Sequence, residues 1–195
     1  AICSKGICPP LGKATERLFF PLIKKFFTPE LIEVNIPIEG GFHNLLIASI
    51  KKTYPGQAIK VMNTLWGAGQ MMFVKNIIIV DKDVDVFNIN SVLDAISKNV
   101  NIPYDFSFVK GPLDVLDHAN NSFTFGRKMG IDATVKLEEE KQAIDNRTPN
   151  QTQINFDFSK YHIKNIDLNW AKKSYKIAII FVNKDLSTSI RNIHK

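Results

Sequence analysis

The hydrophobic positions change period several times along the chain, and each change marks an element. Leu11, Leu18, Phe19, Leu22, Ile23, Phe26 and Phe27 fall on one helical face, which predicts a helix interrupted at Pro21 and ended by Pro29. Leu31 to Ile36 alternates and Leu45 to Ile50 supplies a second apolar run, so two strands are expected, joined as a hairpin through Glu39-Gly40-Gly41. Pro55 suits a first helical turn. After it, Ala58, Val61, Met62, Leu65 and Trp66 recur at helical spacing until Gly67 and Gly69 end the pattern. Val74 and Ile77 to Val80 form an almost unbroken apolar run, the signature of a strand covered on both faces. A helix is expected over Asn88 to Asn99, where Ile89, Val92, Leu93 and Ile96 repeat at three and four, and a short strand over Asp105 to Val109. The order helix, two strands, helix, strand, helix, strand describes a compact α/β domain with a mixed sheet flanked by helices.

Polar stretches divide the chain. It begins with Ala1 rather than Met, and Ile2 to Pro10 reads as a loop, so residues 1–10 are expected to be a flexible leader or the remnant of an upstream domain. The α/β domain is placed at residues 11–137. Residues 138–155 turn to charged and amide side chains around Thr148-Pro149, the composition of an exposed linker or loop. In residues 156–195, Ile177 to Val182 is again strand-like, and this extension is expected to add an edge strand or to contact a neighbouring subunit.

With 195 residues, 45% of them hydrophobic, and 14 phenylalanines, the chain can bury a substantial core. The net charge of +6 comes from scattered lysines with short clusters such as Lys24-Lys25, Lys51-Lys52 and Lys172-Lys173. No basic arm or stripe with interleaved aromatics is present, which argues against nucleic-acid binding. No apolar run approaches the roughly 20 residues of a membrane span and no signal-peptide pattern is present, so a cytoplasmic, soluble protein is expected. Cys3 and Cys8 lack the second pair or nearby histidines of a metal site and read as free thiols. Asp81, Asp83 and Asp85 match the first ligands of a calcium loop, but Val86 and Val92 stand where glycine and glutamate are needed, so a polar strand end is the better reading. Asp114 is placed to cap a turn, with Asp117 and His118 ordering the loop behind it, and His43 begins a strand as an ordinary hydrogen-bonded histidine. Gly67-Ala68-Gly69 is a turn and not a dinucleotide fingerprint.

Chemistry is concentrated where the second helix meets the apolar strand. There Gln70 stands beside Met71, Met72 and Phe73, a polar amide among soft and aromatic side chains that can wall a flat organic ligand. Read with YPGQAIKVM before it, DKDVDV after it, and LGKATERLFFPL, IPIEGGFHN, GPLDVLDHA and GRKMGIDAT elsewhere, this corner resembles the carboxy-terminal domain of the UbiD-type decarboxylases, relatives of 3-polyprenyl-4-hydroxybenzoate carboxy-lyase. The correspondence runs in order from Leu11 to Thr134, and the LWGAGQMMF form is similar to the branch assigned to menaquinone biosynthesis. Several motifs in register are more specific than any one alone.

The resemblance implies a specific chemistry. Such enzymes use prenylated flavin mononucleotide, with manganese and potassium holding its phosphate, to remove carbon dioxide from unsaturated or aromatic acids. Their essential arginine and glutamates, and their metal ligands, belong to an amino-terminal flavin-binding region, so no catalytic or metal-binding residue is assigned to this chain. The resemblance instead places Trp66, Gln70, Met71, Met72, Pro112 and Leu113 on the wall of the substrate pocket, and Gly69 and Gln70 beside the cofactor, where some relatives carry a lysine. Two functions are expected in consequence. One is the substrate-covering and assembly domain of a decarboxylase of hydroxylated aromatic acids in quinone biosynthesis, partnered by the amino-terminal flavin-binding region and forming a homo-oligomer. The other is a stand-alone, non-catalytic assembly or scaffold module.

Overall fold

The computed structural model describes residues 8–41, 44–102, 104–117, 119–120, 122–145, 163–167 and 179–182. His43, His118, His162, His194 and Cys3 lie outside them. The chain divides into two compact units, residues 1–144 and 145–195.

The first unit begins with α1 (Cys8–Phe26), which runs unbroken through Pro21. Cys8 to Pro10 are helical rather than loop, because prolines in a first turn surrender only N–H groups that have no intrahelical partner. Pro21 is tolerated in the interior because it faces solvent, where the carbonyl it leaves unpaired can bond water. The expected apolar face is split by the fold. Ile23 is buried and Phe19 packs partly against the core, whereas Leu18, Leu22, Phe26 and Phe27 are exposed.

The strands β1 (Leu31–Asn35) and β2 (Leu45–Ile50) pair antiparallel, as the hairpin reading requires. The helix α2 (Gln57–Gly67) starts two residues after Pro55, which therefore lies outside it. A 3-10 turn over Gly69–Phe73 leads into β3 (Asn76–Asp81), which runs parallel to β2. The helix α3 (Ile89–Asn99) is capped by Asn88, whose side chain accepts a bond from the Asn90 N–H at 3.0 Å. The strand β4 (Phe106–Pro112) extends three residues beyond the predicted end and places Pro112 on a sheet edge, where a missing N–H is harmless.

One strand escaped the hydrophobic pattern altogether. β5 (Phe125–Asp132) lies between β3, to which it is parallel, and β4, to which it is antiparallel, giving the order β1-β2-β3-β5-β4. On the α2 side it carries Gly130 and, at the same parity, Gly126, Lys128 and Asp132, while Ile131 packs on the α3 side, so the buried α2 side shows no apolar run by which the strand would be read. Gly130 is required by packing: a Cβ there would collide with Met62 Sδ and stand 3.1 Å from Trp66 Cη2.

Two cores sandwich the sheet. On one face, Leu46, Ala48, Ile50, Ile77 and Ile79 meet Ile23 of α1 and Val61, Met62, Leu65 and Trp66 of α2. On the other, Ile47 and Val80 meet Val86 and the α3 residues Val92 and Ala95. The central position of β3 explains its continuous apolar run.

Of the expected linker or loop over 138–155, residues 138–145 are helical rather than loop, with Glu138, Glu139 and Lys141 exposed, and residues 146–155 lie outside the described residues. The helix, α4 (Glu138–Asp145), is anchored by Glu140, which accepts bonds from Lys52 Nζ at 2.5 Å and from the Gly56 and Leu137 N–H groups at 2.9 Å. In the second unit, β6 (Ile163–Asp167) and β7 (Ile179–Val182) pair antiparallel in a two-stranded sheet, and the rest of the carboxy-terminal extension lies outside the described residues.

Candidate functional site

The parallel strands β2, β3 and β5 have two unlike ends. At their carboxyl ends a network of ion pairs fills the space. Lys52 reaches Glu140 at 2.5 Å and Asp132 at 3.9 Å, and Lys136 reaches Asp105 and Asp132, each at 3.2 Å. Asp132 also accepts bonds from the Thr134 N–H and hydroxyl, and Asp81 accepts one from the Val135 N–H at 2.7 Å. Burial pushes the Asp81 and Asp105 carboxyls above their ordinary range. Ligands of open α/β sheets commonly sit at this end, but here protein side chains occupy it. Asp81 and Asp85 serve backbone N–H groups, the latter that of Phe87, in keeping with a polar strand end. Among the described residues no group of three or more His, Cys, Asp or Glu is arranged to hold a metal.

The corner lies at the opposite end, where β3 begins. Gly69 has a φ of +50°, and a Cβ there would stand 2.6 Å from Phe19 Cε1, so both conformation and the approach of α1 call for glycine. Thr15 of α1 bonds Gln70 Oε1 at 3.4 Å. The Met71 and Val74 N–H groups close the turn on Ala68 O and Met71 O, each at 3.0 Å.

The six residues expected to wall a pocket divide by burial. Met71 and Leu113 are enclosed, at 0% and 1% exposed, and Trp66 nearly so at 9%, its indole N–H donating to Val74 O at 3.1 Å. Met71 and Trp66 support the corner from within. Gln70, Pro112 and Gly69 are exposed and Met72 is half-buried, so of the expected residues these four lie at the surface. Asp114 forms the expected turn, accepting from the Leu116 N–H at 2.8 Å, while Asp117 pairs with Lys75 at 2.6 Å and so ties the segment after β4 to the start of β3.

Lys128 was not foreseen. It reaches from β5 beneath the corner, where its ammonium donates to Met72 O and, at 2.9 Å, to Val74 O. Burial lowers its pKa to about 8. Recognition of β5 would have revealed it, since Lys128 shares the helix-facing parity of Gly130.

A separate hollow of about 450 Å³ opens beside Asn35, Ile38, Leu45, Phe87 and Ile89. Among the described residues that line it, Lys13 is engaged by Glu16 at 2.8 Å and Asn35 at 2.7 Å, and Glu39 adds a carboxylate to an otherwise largely apolar hollow.

Fold and corner together define a mixed α/β domain with a glycine-bounded turn at the amino end of its central strand. The chain belongs to the family described as the 3-octaprenyl-4-hydroxybenzoate carboxy-lyase C-terminal domain, which matches residues 10–133. A relative, an uncharacterized protein of Aquifex aeolicus, is 51% identical over 130 residues, covering 67% of this chain and 26% of the relative. The chain thus spans about a quarter of the length of the curated relatives it matches. Among solved structures, vanillic acid decarboxylase of Sedimentibacter hydroxybenzoicus in its open form is similar at 27% identity and a TM-score of 0.59, over 82% of this chain and 32% of that one. The UbiD-class enzyme HmfF from Pelotomaculum thermopropionicum, in complex with FMN, shares the fold at 22% identity and a TM-score of 0.58, over 77% of this chain and 33% of that one.

Proposed function

We propose that this chain is the substrate-covering and oligomerisation domain of a prenylated-flavin-dependent decarboxylase that acts on hydroxylated aromatic acids, with a place in quinone biosynthesis closest to the menaquinone branch. The observation that carries the reading is the corner itself: an exposed amide and a half-buried thioether presented by a braced turn, with the exposed Pro112 at the end of β4, in a chain of this family. Similarity to a vanillic acid decarboxylase supports an aromatic acid as substrate. The partner in this reading is an amino-terminal flavin-binding region, and the protein is cytoplasmic. No helix among the described residues is long and apolar enough to cross a membrane.

When bound, the modified flavin supplies the electron sink for loss of carbon dioxide. The residues of this chain contribute a cover. Met72 and Pro112 exclude water from one side of a flat ring, and the Gln70 amide offers a donor and an acceptor to a ring substituent or a flavin edge. The described residues do not fit the manganese and potassium expected with the flavin phosphate, because no carboxylate or histidine cluster stands at the corner. Those ions belong to the flavin-binding region in this reading.

The test is made on the enzyme that carries this domain, supplied with prenylated flavin, manganese and potassium and assayed for carbon dioxide release from hydroxybenzoates. Gln70→Ala and Met72→Ala are each expected to raise KM about tenfold, the loss of one hydrogen bond or one apolar contact. Unchanged KM and kcat in both variants would remove the corner from the pocket. No turnover with any aromatic acid, in an enzyme that binds the flavin, would leave the scaffold reading.

A further inference from the structure

Lys128 is a buried cation, at 2% exposed, with no carboxylate paired to it among the described residues. An ammonium withdrawn from water without a counter-ion is costly, and a methionine could fill the same volume without that cost. What compensates the charge is a pair of carbonyl oxygens, Met72 O and Val74 O, both in the segment that joins the corner to β3. The indole N–H of Trp66 meets the same Val74 oxygen. The segment is therefore stitched from below by two side chains, one from α2 and one from β5.

We propose that Lys128 is the positioning residue of the corner, pinning the Met72 and Val74 carbonyls to β5 so that Gln70 and Met72 keep their places over a bound ligand. The positioning role rests on the functional reading above; the tie itself does not. Among the described residues its surroundings are neutral or already paired. Trp66 and Met62 come from α2, and Gly111 of β4 stands so close that a Cβ there would lie 3.3 Å from Lys128 Cε. Lys75 and Asp117 pair with each other, Asp132 is engaged by Thr134 and Lys136, and Lys110 and Arg127 lie on the opposite, exposed face. With a pKa of about 8, the ammonium is charged at neutral pH and loses its proton just above it, which weakens charge-assisted bonds.

Amide hydrogen exchange on the 195-residue chain tests the tie without any ligand. Lys128→Met is expected to speed exchange of the Met71 and Val74 amides about tenfold, with the Ala133 amide, bonded to Ile79 O, unchanged. In the unsubstituted chain, the same corner amides should exchange faster above pH about 8 than their intrinsic rates require, again without a change at Ala133. Identical corner exchange in variant and parent, or equal acceleration at Ala133, would overturn the tie. If Lys128→Met does not fold, a featureless pH profile at Met71 and Val74 in the parent chain overturns it alone. In the complete decarboxylase, Lys128→Met should raise KM more than it lowers kcat, and Lys128→Arg, which retains a cation, should recover part of the loss. A loosened corner with unchanged KM would overturn the positioning role and the ligand-facing reading while leaving the tie intact.

Discussion

Gly130 shows how one small residue admits two large ones. Met62 and Trp66 press onto the sheet at this point, and both are held, Met62 by full burial and Trp66 by its bond to Val74 O. Gly130→Ala is expected to lower stability by about 1–3 kcal/mol, the usual effect of overpacking, measurable by urea denaturation. Trp66 and Met62 were legible as one helical face from their spacing. Which of the predicted pocket residues would point outward was not: Met71 and Met72 are adjacent and chemically identical, and only the turn over Gly69–Phe73 buries one and half-exposes the other. Lys128 was hidden for a related reason, since lysine is ordinarily a surface residue and nothing local marks one that is buried.

At the scale of elements, regular alternation and helical spacing located α1, α2, α3, β1, β2, β3 and β4, with boundaries shifted by a few residues. β5 was missed because its positions on the α2 side are glycine, lysine and aspartate, chosen by what packs or bonds against them. α4 was read as a linker from its charge, yet one of those charges docks it. Burial draws the Glu140 carboxyl upward, but bonds from Lys52, Gly56 and Leu137 outweigh it and hold the group below its ordinary value of 4.5. A depressed carboxylate contributes stability above its unfolded pKa and loses it as pH falls through the folded one. Glu140→Gln should therefore cost about 1–3 kcal/mol at neutral pH, with the difference from the parent shrinking below pH 4.5 in denaturation curves. A constant difference down to acid would mean that the carboxylate charge does not hold the helix.

For the whole molecule, all five strands of the main sheet and the residues that anchor α4 precede residue 145, the start of the second unit. A chain ending at Ile144 is expected to keep a single cooperative unfolding transition. Of the 2 tryptophans only Trp66 then remains, and its emission should report a buried indole until the protein unfolds. A red-shifted native emission would show that the first unit requires residues 145–195 in order to fold.

The sequence by itself determined the class of the fold, the central place of β3, the hairpin before it and the position of the corner, because periodicity and glycine act through neighbouring residues. Tertiary structure alone decided the strand that carries Lys128, the face that α1 buries, the network closing the carboxyl ends of the strands, and the side chains the corner leaves in the open. Those depend on partners dozens of residues away, such as Lys128 with Met72 and Lys52 with Glu140, and no local pattern encodes where such partners will meet.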